Sequence, residues 1–208
     1  MKPYPGKRAL DIAVAGTACL VFAPVVVGVT LAIWLEDRGS PLFSQKRVGR
    51  GRQSFDILKF RSMRDERVTR TGRWLRRAGI DELPQFVNVW RGEMSVVGPR
   101  PLTQQDVDRL GWAKPSLDWR FAAMPGITGL SQLIAGRGSR YSERLDRLYL
   151  RRQSCLLDMQ VIALSFAVNV LGKRMVRECI RMRPRPHRID CVDTPYRQNG
   201  MRRRTQPE

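Results

Sequence analysis

Apolar and polar positions divide the chain into one long apolar segment and a series of shorter alternating or mixed stretches. No charged residue occurs from Ile12 to Leu35. As a helix, this segment would be roughly 36 Å long at ~1.5 Å per residue, and the hydrocarbon core of a bilayer is roughly 30 Å thick. The pattern therefore predicts a helix that enters a membrane.

Two topologies compete for this segment: a helix that spans the bilayer and a re-entrant hairpin that enters and leaves by the same face. Pro24 lies at the middle of the run, where it removes a helix hydrogen bond and bends the axis. Lys/Arg residues flank both ends, whereas a single span shows Lys/Arg asymmetry. Since proline also occurs in spanning helices, the residues alone leave both topologies open. The apolar run is too long for the core of a cleaved signal peptide.

The remaining pattern predicts an α+β domain, mainly α, built from short strands and amphipathic helices. We expect helices to pack around a small β-hairpin and, in part, to lie at the membrane surface. The predicted elements are strands at 41–47 and 54–60 around a Gly- and Arg-rich turn, a polar linker over 61–73, a helix from Asp81 to Gly92, an extended segment at 94–101, a charged helical segment, a loop at 125–129 and a helix over 141–171.

Three regions follow from this division: a membrane segment at 1–40, a folded domain at 41–172 and a basic tail at 173–208. The tail is rich in Arg and Pro, so we expect it to be flexible or to lie on anionic lipid. In either topology of the apolar segment, the folded domain lies on the cytoplasmic side of the membrane.

Charge points to an anionic partner. The chain has 38 Lys and Arg against 19 Asp and Glu, a formal net charge of +19. Such an excess fits nucleic acid, an acidic membrane surface or a phosphorylated substrate. A membrane-tethered nucleic-acid-binding protein is therefore an alternative, but no helix-turn-helix, zinc-finger or aromatic RNA-binding motif is present in the sequence.

Histidine and cysteine usage exclude several kinds of catalytic site. His187, in the basic tail, is the only histidine of the sequence, so Ser-His-Asp and Cys-His mechanisms are improbable. The four cysteines lie far apart without a Cys-x-x-Cys pair, which argues against a zinc site or a disulfide framework. Acid-base or nucleophilic chemistry must then come from carboxylates, Lys, Tyr or Cys.

The adjacent acids Asp81 and Glu82 are the strongest candidates for chemistry. Helix capping alone would explain acids at a helix start. However, Arg73, Arg76 and Arg77 lie upstream, and Arg91 and Arg100 lie downstream. Two carboxylates at this point allow Mg²⁺ to bridge the protein to a diphosphate, and a carboxylate can also attack phosphorus directly.

Six ordered motifs, spread from about Lys7 to Leu171, carry a resemblance to a known family. The chain resembles the small monotopic phosphoglycosyl transferases of the bacterial sugar transferase family. The motifs beyond the membrane segment are Phe43-Ser-Gln-Lys-Arg-Val-Gly49, Ile57-Leu-Lys-Phe-Arg-Ser-Met63, Ile80-Asp-Glu-Leu-Pro-Gln85, Gly92-Glu-Met-Ser-Val-Val-Gly-Pro-Arg-Pro101 and Pro125-Gly-Ile-Thr-Gly129.

This resemblance implies an enzyme that moves a sugar-1-phosphate from a UDP-sugar to polyprenyl (undecaprenyl) phosphate with release of UMP. The reaction begins glycoconjugate or exopolysaccharide assembly at the cytoplasmic face of the bacterial inner membrane, and downstream glycosyltransferases are possible partners. No nucleic acid is involved in that reaction. In the family the membrane element is a re-entrant helix broken at a proline, which matches Pro24. The family often has Ser before that proline, whereas this chain has Ala23, so its helix bends differently.

The resemblance also implies roles for individual residues. Asp81 would be the nucleophile, and Glu82, together with Asp81, would hold Mg²⁺. Asp146 and Asp158 match acidic positions in the C-terminal helices, where a structural ion pair is an equal alternative. The positions predicted to bind phosphate or nucleotide are Lys59, Arg61, Arg76, Arg100 and Arg137.

Overall fold

A computed structural model describes residues 3–134 and 140–171 of the chain. The predicted phosphate-binding residue Arg137 and the basic tail at 173–208 lie outside the described residues. Within them the fold is mainly helical, with three small two-stranded sheets. The strands are Leu42–Val48 (β1), Ser54–Phe60 (β2), Met63–Arg64 (β3), Arg67–Val68 (β4), Ser95–Val97 (β5) and Gly126–Thr128 (β6).

The helices differ greatly in length, and the longest contains the apolar segment. This helix carries 31 residues and contains Pro24. Within the described part of the chain, it is the one helix long and apolar enough to cross a membrane. The helices are Lys7–Asp37 (α1), Arg70–Ala78 (α2), Gln85–Arg91 (α3), Gln104–Arg109 (α4), Asp118–Phe121 (α5), Leu130–Ile134 (α6), Arg140–Arg152 (α7) and Cys155–Leu171 (α8).

The first turns of α1 are fixed to the folded domain by buried polar contacts. Lys7 Nζ lies 2.6 Å from a carboxylate oxygen of Asp158 on α8 and 3.1 Å from Asp11. The Asp11 carboxylate also accepts hydrogen bonds from the Ser95 hydroxyl and the Val96 amide, both at 3.0 Å. Lys7 is therefore buried in ion pairs within the protein rather than placed at a lipid surface.

The last turn of α1 is held by the same domain. The Glu36 carboxylate accepts hydrogen bonds from the amides of Arg70 and Thr71 at 2.9 and 3.1 Å, and so binds the free N–H groups at the start of α2. Asp37 forms an ion pair with Arg61. Both ends of α1 thus contact one domain, while its middle projects: Leu20 is 79% exposed.

The predicted hairpin is confirmed. Strands β1 and β2 are antiparallel, with Leu42 opposite Phe60 and Val48 opposite Ser54. Gly51 adopts a left-handed conformation (φ 63°) in the connecting turn, a conformation that glycine adopts at little cost.

The polar linker predicted over 61–73 is wrong over most of its length. Residues 63–68 form the short β3–β4 hairpin, and α2 already begins at Arg70. The Thr69 hydroxyl caps α2 by accepting a hydrogen bond from the Gly72 amide at 2.9 Å. A side chain at Gly72 would meet the Ser62 carbonyl oxygen at 2.1 Å, so only glycine allows α2 to pack this closely against the preceding segment.

The helix predicted from Asp81 begins later than expected. Residues Ile80–Glu82 form a 3-10 turn, and the α-helix α3 starts at Gln85, after Pro84. Its predicted end at Gly92 is confirmed, because that residue adopts a left-handed conformation (φ 84°). The buried residues of α3 are Gln85, Asn88 and Val89, whereas Trp90 is 57% exposed.

The predicted loop at 125–129 and the single C-terminal helix both need correction. Residues Gly126–Thr128 form β6, which pairs in parallel with β5, the extended segment predicted at 94–101. The Gly98 amide donates to the Thr128 carbonyl at 2.9 Å. The helix predicted over 141–171 is two helices, α7 and α8, separated at 153–154.

Candidate active site

A cavity of about 1460 Å³ opens between α1, the β1–β2 hairpin, the 3-10 turn and α8. Its walls differ in chemistry. One part carries the two acids of the 3-10 turn together with basic side chains from β1, β2, α2 and the turn after β5. The other part is apolar and is formed by residues of α1 and α8, namely Val14, Val21, Phe22, Ile162 and Phe166.

The chain reverses sharply just before the acidic pair, and this reversal places both acids in the cavity wall. Gly79 ends α2 in a left-handed conformation (φ 68°). The 3-10 turn closes with the Leu83 amide donating to the Ile80 carbonyl at 3.1 Å, and Pro84 then starts α3. Neither acid caps a helix through its side chain. Side-chain capping of a helix therefore does not explain this pair, although both acids lie in the first turn of the 3-10 helix.

Glu82 is held as a carboxylate by a lysine. Lys59 is the penultimate residue of β2, and its Nζ lies 2.8 Å from Glu82 Oε1. Burial by itself raises the pKa of Glu82, but the Lys59 charge and hydrogen bond, aided by Arg100, outweigh burial and lower the pKa below its ordinary value. Glu82 is thus ionised at neutral pH and can bind a cation or orient Lys59.

Asp81 has the opposite electrostatic environment. Burial, followed by the negative charge of Glu82, raises the pKa of Asp81, while Lys59 and Arg76 act in the opposite direction. Its negative charge is therefore less well compensated than that of Glu82. A carboxylate that is poorly stabilised as an anion gains most from an approaching cation or an electrophilic phosphorus.

Two predicted basic residues surround this pair. Arg100 follows β5, lines the same cavity and is close enough to Glu82 to lower its pKa. Arg76, near the end of α2, acts in the same way on Asp81 and donates from Nε to the Ser62 hydroxyl at 2.8 Å. The structure therefore brings Lys59, Arg76 and Arg100 together around the acids.

Arg61 differs from the other predicted phosphate-binding residues. It lines the cavity, but its guanidinium pairs with Asp37 at the end of α1. The structure thus gives Arg61 a contact that fixes α1 to the strand preceding the site, which the sequence pattern did not indicate. Arg137 lies outside the described residues.

Asp146 and Asp158, the two acids predicted in the C-terminal helices, lie in ion pairs rather than in the cavity wall. The Asp146 carboxylate accepts a hydrogen bond from Arg120 Nε at 2.8 Å, and both side chains are buried. Asp158 is 0% exposed and accepts hydrogen bonds from Lys7, Tyr4 and Tyr149 at 2.6 to 2.9 Å. Neither is among the described residues that line the cavity.

Several polar residues of the cavity were not predicted individually. Arg47 on β1 and Gln132 on α6 line it close to Lys59 and Glu82. Arg47 belongs to the first motif quoted above, which is the signal that identifies it. Gln132 follows the Gly126–Thr128 strand, and no periodic pattern separates it from an ordinary helical glutamine.

The acidic pair offers a magnesium ion two carboxylates but no complete set of protein ligands. Among residues 3–134 and 140–171, no three His, Cys, Asp or Glu side chains gather as a preformed metal cage. Mg²⁺, however, is commonly bound by one or two carboxylates and completed by substrate phosphates and water. The mutual repulsion of Asp81 and Glu82, which raises the pKa of Asp81, is the electrostatic feature that a divalent cation relieves.

Comparison with known proteins identifies the family of the chain. The family model described as bacterial sugar transferase matches residues 3–172. An undecaprenyl-phosphate glucose phosphotransferase of Komagataeibacter xylinus is 38% identical over 192 residues, covering 80% of this chain and 36% of that protein. A UDP-glucose:undecaprenyl-phosphate glucose-1-phosphate transferase of Caulobacter vibrioides is 41% identical over 170 residues, covering 75% of this chain and 62% of that protein.

A shorter relative is matched over most of its length. The exopolysaccharide production protein ExoY of Rhizobium meliloti is 31% identical over 195 residues, covering 78% of this chain and 85% of that protein. By contrast, the chain spans about a third of the Komagataeibacter protein and about three fifths of the Caulobacter protein. The extent of the family match and these identities show that the chain belongs to the bacterial sugar transferase family.

Proposed function

We propose that the chain transfers a sugar-1-phosphate from a UDP-sugar to polyprenyl phosphate, releasing UMP, through a covalent intermediate on Asp81. The observation that carries the proposal is the acidic pair of the 3-10 turn. It lies in a cavity whose polar wall carries Lys59, Arg76 and Arg100 and whose other wall is apolar. The names of the relatives add the same two substrates.

In the first half-reaction, a carboxylate oxygen of Asp81 attacks the phosphorus that bears the sugar. A bond forms between that oxygen and phosphorus, and the bond from this phosphorus to the oxygen shared with UMP breaks. UMP leaves with the electron pair. Asp81 is suited to attack because burial and Glu82 destabilise its free carboxylate, which raises its pKa and its basicity.

In the second half-reaction, an oxygen of polyprenyl phosphate attacks the same phosphorus. The aspartyl oxygen leaves, so the Asp81 carboxylate is regenerated and the product is a polyprenyl diphosphate sugar. The apolar wall formed by α1 and α8 supports this assignment, since an isoprenoid chain needs an apolar surface beside the reacting phosphate. Downstream glycosyltransferases would extend that product.

Positive side chains stabilise the phosphates in both steps. The charge of Lys59 acts on both acids, that of Arg100 on Glu82 and that of Arg76 on Asp81. Charge-assisted hydrogen bonds from these groups to phosphate oxygens offset the charge that develops as the phosphorus–oxygen bonds change. We assign to Arg47 a share of the same role, because it lines the same part of the cavity.

We assign to the carboxylates of Glu82 and Asp81 the role of holding Mg²⁺. An ion held there would supply positive charge and Lewis acidity to the diphosphate. Lys59 keeps Glu82 ionised, as its lowered pKa indicates, so this carboxylate is available to the metal at neutral pH.

We further propose that α1 is re-entrant and that the domain lies on the cytoplasmic face of the inner membrane. Contacts at both ends of α1 with the same domain support this topology, since a straight span would carry one end to the opposite face. The middle of the helix, around Pro24, is exposed and apolar, with Val27 67% exposed. Exposed Trp74 and Trp90 on α2 and α3 are suited to the interface beside it.

The proposal is tested by supplying purified protein with individual UDP-sugars, polyprenyl phosphate and Mg²⁺ and measuring UMP. UDP-glucose and UDP-N-acetylgalactosamine are the first candidates, since relatives are named for those sugars. We expect release with at least one sugar, and its loss in Asp81→Asn or when Mg²⁺ is chelated. Asp65→Asn, at an exposed acid in the β3–β4 turn, serves as the control. Undiminished UMP release by Asp81→Asn protein contradicts the proposal.

A further inference from the structure

Arg120 on α5 is a buried cation whose position is fixed from several sides. It is 5% exposed, and its Nε donates to the Asp146 carboxylate on α7 at 2.8 Å. Its guanidinium carbon lies 4.8 Å from the ring centre of Trp112 and 5.6 Å from that of Phe121. Removing a charge from water costs free energy, so buried charges are normally paired and hydrogen-bonded.

A second nitrogen of the Arg120 guanidinium contacts the backbone at Arg100. Arg120 Nη2 donates to the Arg100 carbonyl oxygen at 2.8 Å. Arg100 stands between Pro99 and Pro101, two residues that have no N–H to donate. The backbone on either side is fixed by other contacts: the Pro99 carbonyl accepts from the Gly126 amide at 2.9 Å, and the Leu102 carbonyl accepts from the Val48 amide at 2.8 Å.

The Arg100 carbonyl is therefore the point at which a buried side chain, rather than a strand, holds this turn. The side chain of the same residue extends into the cavity, where its charge lowers the pKa of Glu82. A shift of the Arg100 backbone moves that guanidinium relative to the acids. An error of about 1 Å in such a group can reduce a rate ~100-fold.

We propose that Arg120 and Asp146 are positioning residues that set the place of Arg100 in the active site. Asp146 orients the Arg120 guanidinium, and Arg120 in turn holds the Arg100 carbonyl. Neither residue touches substrate. The inference rests on the proposed function, because Arg100 is taken there as a phosphate-binding group.

A purely structural role is the competing explanation, since the pair also joins α5 to α7. The two explanations differ in their dependence on Arg100. If the pair acts through Arg100, its removal has little further effect once the Arg100 side chain is absent. If it only stabilises the fold, the losses multiply whether or not Arg100 is present.

The test compares the double variant Arg120→Met/Asp146→Leu in the wild-type and Arg100→Ala backgrounds. Apolar residues of similar volume often replace a buried ion pair without loss of folding, so this variant keeps the protein folded while releasing the Arg100 carbonyl. Arg120→Lys is a second variant: it retains the charge but lacks the fork needed to hold Asp146 and the carbonyl together. Arg109→Met, at an exposed ion pair on α4, is the matched control.

We expect the double variant to lower kcat/KM for the UDP-sugar about tenfold in the wild-type background and by less than about twofold in Arg100→Ala. Arg109→Met leaves kcat/KM unchanged in both backgrounds. Multiplying losses, or a wild-type kcat/KM in the double variant, overturn the inference.

Hydrogen exchange provides a readout that does not depend on activity. We expect exchange over residues 98–103 to increase several-fold in Arg120→Lys and in the double variant, while α2 exchanges as in wild type. Unchanged exchange over 98–103 contradicts the positioning role even if the enzyme is active. Absence of UMP release by the wild-type protein instead contradicts the proposed function, and the two failures are thereby distinguished.

Discussion

Two neighbouring carboxylates with pKa values moved in opposite directions are the central feature at the scale of single residues. Glu82 is ionised because Lys59 lies 2.8 Å away, whereas burial and the charge of Glu82 raise the pKa of Asp81. The acid that we propose as the nucleophile is therefore the one whose anion is less stabilised. Catalysis needs this anion, so activity must fall as the pH decreases through the raised pKa.

This coupling predicts opposite shifts in the pH profile of kcat/KM for two variants. Glu82→Gln removes a negative charge that raises the pKa of Asp81, so the acid limb should move to lower pH. Lys59→Met removes a positive charge that lowers the same pKa, so its acid limb should move to higher pH. Both profiles are measured at one fixed Mg²⁺ concentration, with Arg64→Met, an exposed residue, as control. Shifts of the same sign in the two variants contradict the electrostatic account.

The buried carboxylate of Asp158 leads to a prediction about stability. With Lys7, Tyr4 and Tyr149 as its partners, it fixes the start of α1 to α8. Asp158→Asn leaves a buried lysine with poorer compensation, and we expect a loss of about 3 kcal/mol in the free energy of unfolding. Thermal unfolding in detergent measures the loss, with Glu143→Gln, from a partly exposed ion pair on α7, as the comparison. Equal stability of the two variants would show that the Asp158 contacts contribute little.

Sequence and structure agree best where the chemistry of a residue is local. The Asp81-Glu82 pair is recognisable from its own motif, and the basic residues that surround it are recognisable from theirs. The partners of Asp158 were not predictable, because Lys7 stands far away in the sequence and an isolated lysine before an apolar run suggests a lipid contact. Likewise, the contact of Arg61 with Asp37 was not predictable from the sequence.

At the scale of elements, α1 is the feature that decides how the protein meets the membrane. Its first turn is held by Asp158 and its last turn by Arg61 and the start of α2. A helix with both ends on one domain and an apolar middle is expected to enter the bilayer and return to the same face.

Cysteine labelling tests this topology directly. In a cysteine-free variant within inverted membrane vesicles, Pro5→Cys and Ser40→Cys, at exposed positions on either side of α1, should both react with a membrane-impermeant maleimide. Leu20→Cys, in the apolar middle, should react little. Labelling of only one flank from the cytoplasmic side would establish a spanning helix and contradict the re-entrant topology.

The short elements show why local patterns predict some structure and miss the rest. The β1–β2 hairpin was predictable because alternation and a Gly-Arg turn lie within one stretch of chain. Strand β6 was taken for a loop because its partner β5 lies far away in the sequence, and parallel pairing leaves no local signal. The start of α2 was missed because so few of its positions are apolar and buried.

At the scale of the whole molecule, the cavity joins a charged and an apolar surface, which suit the nucleotide sugar and the lipid phosphate of the proposed reaction. Its charged wall comes from the folded domain, and its apolar wall comes from α1 and α8. Helix α1 therefore supplies part of the cavity wall, and contacts at both of its ends hold it to the domain.

The central claim is that Asp81 carries the phospho-sugar between the two substrates. The most direct measurement is a quenched single turnover with a UDP-sugar labelled at the sugar-bearing phosphate, with Mg²⁺ and without polyprenyl phosphate. We predict protein-bound label in the wild type, together with release of UMP, and loss of that label when polyprenyl phosphate is added. We predict no bound label in Asp81→Asn. Equal labelling of the Asp81→Asn protein, or UMP release that always requires the acceptor and leaves no bound label, would contradict the account.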